Sequence, residues 1–387
     1  MREFLHLHKI KANLGHKKNN CEVRKLKKRS LVLGLLLALT VTTVGCGKEE
    51  TATQEGNTSN DTETVADVEV EAEEEVPEVL PDGMARNELS GELIDASLAN
   101  QRPIAVMIDN ESIALPHYGL TQADLVYEMV NSTKNGRVTR LMAMVKDYDG
   151  LGQFGNIRSA RTTNCILAME WNAILCHDGG PFYIDEYIAL PELDDFNATF
   201  SRVDNGKSRE YTEYIVEGDL HSNFASTGIS KEYNEYYEGT HFKWSDEAIQ
   251  FTTDTIEVTK VAPPFPHNDS VLEYNEEDQL YYYSEYGNPH LDPANDNAQL
   301  CFKNVILQEA AIYEYDENGY MYYQIENSSG RGYYITNGEA IEITWKKGSN
   351  TSPTQYFDVN GNEITLNVGK TYIGLVPADT WDELVLE

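Results

Sequence analysis

The chain has 387 residues, with 30 Lys+Arg against 64 Asp+Glu and a formal net charge of −34. Charge of that sign is repelled by nucleic acid and by anionic bilayer surfaces, which excludes a nucleic-acid partner. Residues 1–46 are nevertheless basic, so the remainder is more acidic still, at about −42.

In chain order, the first element is a leader. Arg24, Lys25, Lys27, Lys28 and Arg29 precede the small, apolar run Ser30 to Val44, which is too short to span a bilayer stably. Residues 1–45 therefore read as a signal peptide, and a start at Val23 would give a leader of ordinary length, so the first 22 residues look like an over-extended start. Val44-Gly45-Cys46 resembles a lipobox, in which Cys46 is diacylated and becomes the mature N-terminus, with Thr43 standing where Leu is commoner. The plainer alternative is a signal peptide with an incidental Cys. Residues 46–90 then form a lipidated anchor and an acidic tether. Gly47 to Ser90 holds fourteen acids against Lys48 and Arg86 and has few bulky apolar residues with which to order itself.

Of five cysteines, Cys21 falls in the leader and Cys46 at the anchor; Cys165, Cys176 and Cys301 remain, odd in number and without metal-type spacing, so neither a disulfide framework nor a metal site is expected. His117, His241, His267 and His290 are scattered without ligand spacing, and no cofactor is expected. Cys176 sits in an apolar run beside His177, but adjacent strand residues point to opposite faces, which favours a core cysteine over a nucleophile.

From about Leu93 the composition turns globular. Pro103 to Ile108 reads as a buried strand ending at Asp109-Asn110, Ala123 to Val130 as a strand or short helix, and Arg140 to Val145 as an apolar run. Ser159 to Glu170 reads as a helix and Ala173 to Cys176 as a strand. This alternation predicts a mixed α/β domain over 91–250. The region 251–387 is rich in Tyr, Thr, Val and Ile, and Asn318-Gly319, Asn337-Gly338 and Asn360-Gly361 punctuate it as hairpin turns do, so a mainly antiparallel β domain is expected there. The fold class expected overall is α+β.

Two motifs could carry chemistry. Gly155 to Arg161 is a loop entering a helix, with Arg158 and Arg161 three apart, and two guanidiniums at a helix N-terminus suit a phosphate or carboxylate. The alternative is a pair of structural salt bridges. His177-Asp178-Gly179-Gly180 follows a strand and is suited to an active-site loop, with His177 as base, anion donor or structural histidine. Gly-x-Ser-x-Gly, Gly-x-x-x-x-Gly-Lys and His-Glu-x-x-His are absent from the sequence.

These residues carry a resemblance. Arg102-Pro103-Ile104-Ala105-Val106-Met107-Ile108-Asp109-Asn110, Ala123-Asp124 with Tyr127-Glu128, Thr139-Arg140, Ile157 to Arg161 and His177 to Gly180 are similar to segments of the YerB-like lipoproteins of Gram-positive bacteria, the DUF3048 family. Gly330-Arg331-Gly332, Trp345-Lys346-Lys347 and Asn367 to Thr371 extend the likeness through the second region. Asn156-Ile157 departs from the family's usual Pro-Val, and Leu220-His221-Ser222-Asn223 departs from its Pro-His-Asn. The resemblance implies an N-terminal and a C-terminal domain and a lipid-anchored protein on the outer face of the cytoplasmic membrane, with no established reaction. Asp109, Asn110, Tyr127, Glu128, Arg140, Arg158, Arg161 and His177 are the expected ligand-binding residues, for an anionic envelope ligand. The alternatives are an envelope glycopolymer or phosphate-ester transferase or hydrolase with His177 as base, and a structural or protein-binding lipoprotein acting through the tyrosine-rich second region.

Overall fold

The computed structural model describes residues 79–387 other than Thr253; the leader, Cys46 and the acidic residues up to 78 lie outside the described residues. The described residues belong to one compact unit. Its centre is an 11-stranded sheet made of β1 (Ile104–Asp109), β2 (Leu125–Val130), β3 (Thr139–Val145), β4 (Ile174–His177), β5 (Asp194–Asn197), β6 (Ile256–Glu257), β7 (Asn304–Ala310), β8 (Ser328–Thr336), β9 (Glu339–Lys347), β10 (Gln355–Phe357) and β11 (Thr371–Pro377). The order is β6-β9-β8-β7-β11-β2-β3-β1-β4-β5, with β10 on β9.

The apolar runs at 104–108 and 140–145 become strands buried on both faces, because one layer covers each side of the sheet. One layer is built on helix α1 (Thr162–Glu170), whose Cys165, Ile166 and Met169 pack with Met107, Met142 and Met144. The other is a second, smaller sheet drawn from residues 260–302 and the chain end, with Val261, Leu272, Tyr281 and Phe302 against Val106, Val126 and Ala143. Helix α2 (Asp219–Thr227) joins this layer through Leu220 and Phe224.

The structure is mainly β. Among the described residues there are 28 strands and four α-helices, none longer than nine residues. The antiparallel C-terminal region is as expected, with β8 and β9 paired around the positive-φ turn at Asn337-Gly338. The α/β character expected of 91–250 is not confirmed, because strands outweigh the few short helices there. Ala123 to Val130 is a strand, and antiparallel pairing of β2 with β3 and of β3 with β1 interrupts the parallel pairs β1/β4 and β4/β5. Strand β11, near the chain end, runs parallel between β7 and β2, so the sheet continues across the expected boundary at 250.

The tether also ends earlier than its composition suggests. Met84–Arg86 is a strand, Leu89 and Ser90 are fully buried, and Glu88 pairs with the buried Lys146 at 2.9 Å. Strand pairing with Leu93–Asp95, the Arg86–Asp246 ion pair, the Asn87–Asp124 hydrogen bond and burial of Leu89 together fix a segment whose mean composition reads as solvated.

Candidate functional site

Alternation along the strands sorts the expected site residues onto two faces. Asp109 lies opposite Arg140 in the β1/β3 register and shares the α1 side of the sheet with Met107 and Met142. Asn110 and Glu128 go to the other side, so the eight residues do not form one cleft.

On the α1 side, the two loops singled out by sequence pack on each other. Ala160 N donates to Gly179 O at 3.1 Å, Asp178 N to Arg158 O at 3.1 Å and Ser159 Oγ to Asp178 O at 2.8 Å. Gly180 is required by this approach, since a Cβ there would lie 2.2 Å from Ile184 and 3.2 Å from Ala160 O. The loop contacts deliver Arg158 and Arg161 beside Arg140, at the N-terminus of α1.

The three arginines differ in their partners. Arg158 Nε pairs with the buried Asp109 at 2.8 Å and its Nη2 with Glu210 at 2.8 Å. Arg140 Nη1 donates to Ser159 O at 2.5 Å and to Asn131 at 3.3 Å. Arg161 Nη1 donates to Ala160 O at 2.8 Å, its guanidinium lies 4.2 Å from the Tyr320 ring centre, and its buried Nε has no hydrogen-bond partner. Arg140 is 9% and Arg161 6% exposed, and among the described residues neither forms an ion pair with a carboxylate. Burial pushes Arg140 down to about 9, with the charge of Arg161 adding to it; burial likewise pushes Arg161 down to about 10, partly offset by Tyr320 and Tyr183. Tyr183 stacks on Tyr315 at 4.4 Å beside Tyr320, and Phe182, 79% exposed, lies at the rim.

His177 is fully buried, with Nδ1 on Gly179 O at 2.8 Å and Nε2 on Asp195 at 3.0 Å. Both nitrogens face acceptors, which leaves no ring lone pair turned toward a substrate. The role expected of it as a base is not what this geometry provides; it anchors the loop to β5. Tyr127 is also inward, its hydroxyl accepting from Trp171 Nε1 at 2.9 Å in the core. Cys176 is buried and its thiol pushed up by burial; burial holds Cys165 up at about 12. Both are core groups.

On the opposite face, Glu128 accepts from Asn268 at 2.8 Å, Tyr372 at 2.8 Å, Thr139 at 3.0 Å, Tyr283 at 3.1 Å and Asn110 at 3.3 Å. It is fully buried, and burial pushes its carboxyl up despite these donors. Beside this network His117, Glu285 and His290, all buried, each offer one ligand atom within 4.8 Å of the others. Sequence reasoning missed this group because its members are up to 173 residues apart and carry no spacing signal.

Two larger cavities lie away from both groups. One, of about 360 Å³, is lined by Glu92, Cys301, Lys303 and Lys370; another, of about 510 Å³, by His241, Lys347 and Gln355. Among the described residues no helix is long and apolar enough to cross a membrane.

Comparison with known proteins gives the chain its family. Residues 89–230 match "Protein of unknown function (DUF3048) N-terminal domain" and residues 260–373 match "Protein of unknown function (DUF3048) C-terminal domain". "Putative lipoprotein YerB" of Bacillus subtilis (strain 168) is 24% identical over 310 residues, 77% of this chain and 85% of that protein. The crystal structure of YerB from Bacillus subtilis has the same fold, with a TM-score of 0.66 at 21% identity over 78% of this chain and 99% of that one. The chain belongs to the DUF3048 family, in both its N-terminal and its C-terminal domain.

Proposed function

We propose that this protein is a lipoprotein, held to the outer face of the cytoplasmic membrane by diacylglyceryl Cys46, that binds an anionic envelope ligand at the N-terminus of α1. The observation that carries the ligand reading is the pair Arg140 and Arg161. Two guanidiniums lie nearly buried in each other's field without a carboxylate partner, next to a helix end whose own partial charge is positive. Such a cluster opposes folding unless it serves an anion, and guanidiniums with first-turn amides match phosphate geometry. The Tyr183, Tyr315 and Tyr320 rings beside it supply flat, amphipathic surface suited to the sugar faces of a phosphorylated glycan.

The anchor reading is supported by the basic and apolar leader before Cys46 and by the name carried by the Bacillus subtilis relative. Stable attachment requires two acyl chains, which diacylglyceryl modification supplies. In Cys46→Ser, the protein should move from the membrane to the soluble fraction or accumulate unprocessed; unchanged partitioning counts against the anchor.

Calorimetric titration of the EDTA-treated full chain with pyrophosphate tests the ligand reading. Binding is expected in the wild type and lost in Arg161→Met. Equal heats from both proteins would refute it. Binding without turnover is the expected behaviour, since His177 has no nitrogen free to act as base.

A further inference from the structure

We propose that His117, Glu285 and His290 form a site for a divalent transition-metal cation, with zinc the ion their donors suit best. Two imidazoles and one carboxylate are a zinc-type set that leaves a coordination position open. One ligand atom from each residue lies at most 4.8 Å from the others, against about 3.4 Å between donors held by tetrahedral zinc, so binding requires side-chain rotation in which His290 and Glu285 exchange their mutual hydrogen bond for the ion.

Three independent features point to a cation. His117 Nε2 lies 2.5 Å from the carbonyl of Asp109, which can only accept, so Nε2 carries the proton and Nδ1 keeps its lone pair. A metal-binding histidine is held in this manner, its second nitrogen donating to a carbonyl or carboxylate. Next, His117 Nδ1, Glu285 Oε2 and His290 Nε2 are all buried and all without a hydrogen-bond partner, while His290 Nδ1 is taken up by Glu285 Oε1 at 2.8 Å. Each of the three residues thus has one atom spoken for and one unpartnered. Finally, Glu285 and Glu128 are buried within each other's field, and among the described residues neither pairs with a lysine or arginine. A dication would balance the two carboxylates.

The ligands come from distant parts of the chain. His117 precedes β2, whereas Glu285 ends the strand Leu280–Glu285 of the smaller sheet and His290 follows it. The ion would tie that sheet to the end of β1, where the Asp109 carbonyl holds His117 on one face and the Asp109 carboxylate holds Arg158 on the other.

The test uses the full chain stripped with EDTA, zinc alone as the probe, and thermal unfolding as the readout, because a ligand of the folded state raises Tm. Zinc should raise the wild-type Tm by several degrees with a calorimetric stoichiometry near one. His221→Ala, which alters an exposed histidine, should behave as wild type. His117→Ala should lose the Tm rise and at least tenfold in affinity. Glu285→Gln, nearly isosteric and chosen to preserve the fold, should do the same. A wild-type Tm that zinc leaves unchanged or lowers overturns the site, as does a rise that persists undiminished in Glu285→Gln.

Discussion

Helix α1 carries a buried charge cluster at each end, and the two ends are built differently. At its C-terminus, Glu170 is fully enclosed but meets Lys347 at 2.9 Å, His241 at 3.3 Å and the amide of Thr354 at 2.9 Å, with His241 stacked on Trp171 at 3.4 Å. At its N-terminus, Arg161 and Arg140 are almost as buried and have no carboxylate partner among the described residues. Both ends oppose the helix dipole, which favours anions at the N-terminus and cations at the C-terminus. Only the C-terminal charge has a direct ion pair; at the N-terminal end Asp109 and Glu111 act on Arg140 from a distance without pairing with it. The matched buried charge joins α1 to β9, and the unmatched one is the basis of the proposed ligand site.

The matched end should break most severely. Lys347→Met leaves Glu170 buried without its cation and should cost about 3–5 kcal/mol, read from urea unfolding. Burial alone would push the Glu170 carboxyl up, but Lys347 and His241 outweigh it and hold the group at about 2. Its folded value lies below the unfolded one, so its stabilisation is complete above the ordinary carboxylate range and is lost as pH falls toward 2. Acid unfolding followed by circular dichroism should therefore shift to higher pH in Lys347→Met; an unshifted midpoint would mean that Lys347 does not govern Glu170.

Within the arginine cluster, Arg158 is the internally matched member. Arg158→Ala strips the buried Asp109 of its ion pair and should cost about 1.5–3 kcal/mol in the same urea assay. The expectation from sequence that Arg158 and Arg161 act as one anion-binding pair is thereby divided, with Arg158 partly structural. Tyr320→Ala removes the ring beneath the Arg161 guanidinium and should cost about 0.5–1 kcal/mol. A loss above 3 kcal/mol would show that Tyr320 is a core residue first.

Much of the sheet was legible in the chain because its strands are buried on both faces and so read as continuous apolar runs, as at 104–108 and 140–145. The turn at Asn337-Gly338 was equally plain, since positive φ at both positions leaves few other residues eligible. Asn360-Gly361 shows the limit of that signal. It does close an antiparallel turn, with Asp358 N on Asn362 O at 2.8 Å and Ile364 N on Tyr356 O at 3.0 Å, but the strand that follows, Thr365–Asn367, leaves it to pair in parallel with Lys243–Ser245. The insertion of β11 between β7 and β2 has no local signature, because parallel pairing between distant segments is decided by the whole sheet. The Arg158 and Arg161 loop was visible as loop-then-helix spacing, whereas its contact with His177 to Gly180 had no signal in the sequence. What sequence reasoning merged was the two faces. Asp109 and Asn110 are neighbours in the chain, yet the Asp109 side chain serves the arginines while that of Asn110 serves Glu128. His117 and His290 could be recognised as partners only after the fold brought their rings to 5.0 Å.

The most direct test of the unmatched end is urea unfolding of Arg161→Met with and without pyrophosphate, beside the wild type. Removing one of two guanidiniums that lack a carboxylate should leave stability in plain buffer within about 1 kcal/mol of wild type, because relief of their mutual repulsion offsets the lost Ala160 hydrogen bond and Tyr320 contact. Pyrophosphate at a hundredfold excess over its Kd should stabilise the wild type by about 2.7 kcal/mol and leave Arg161→Met unmoved. A variant that loses several kcal/mol in buffer alone, or that gains as much from pyrophosphate as the wild type, would contradict the assignment of Arg161 to a ligand.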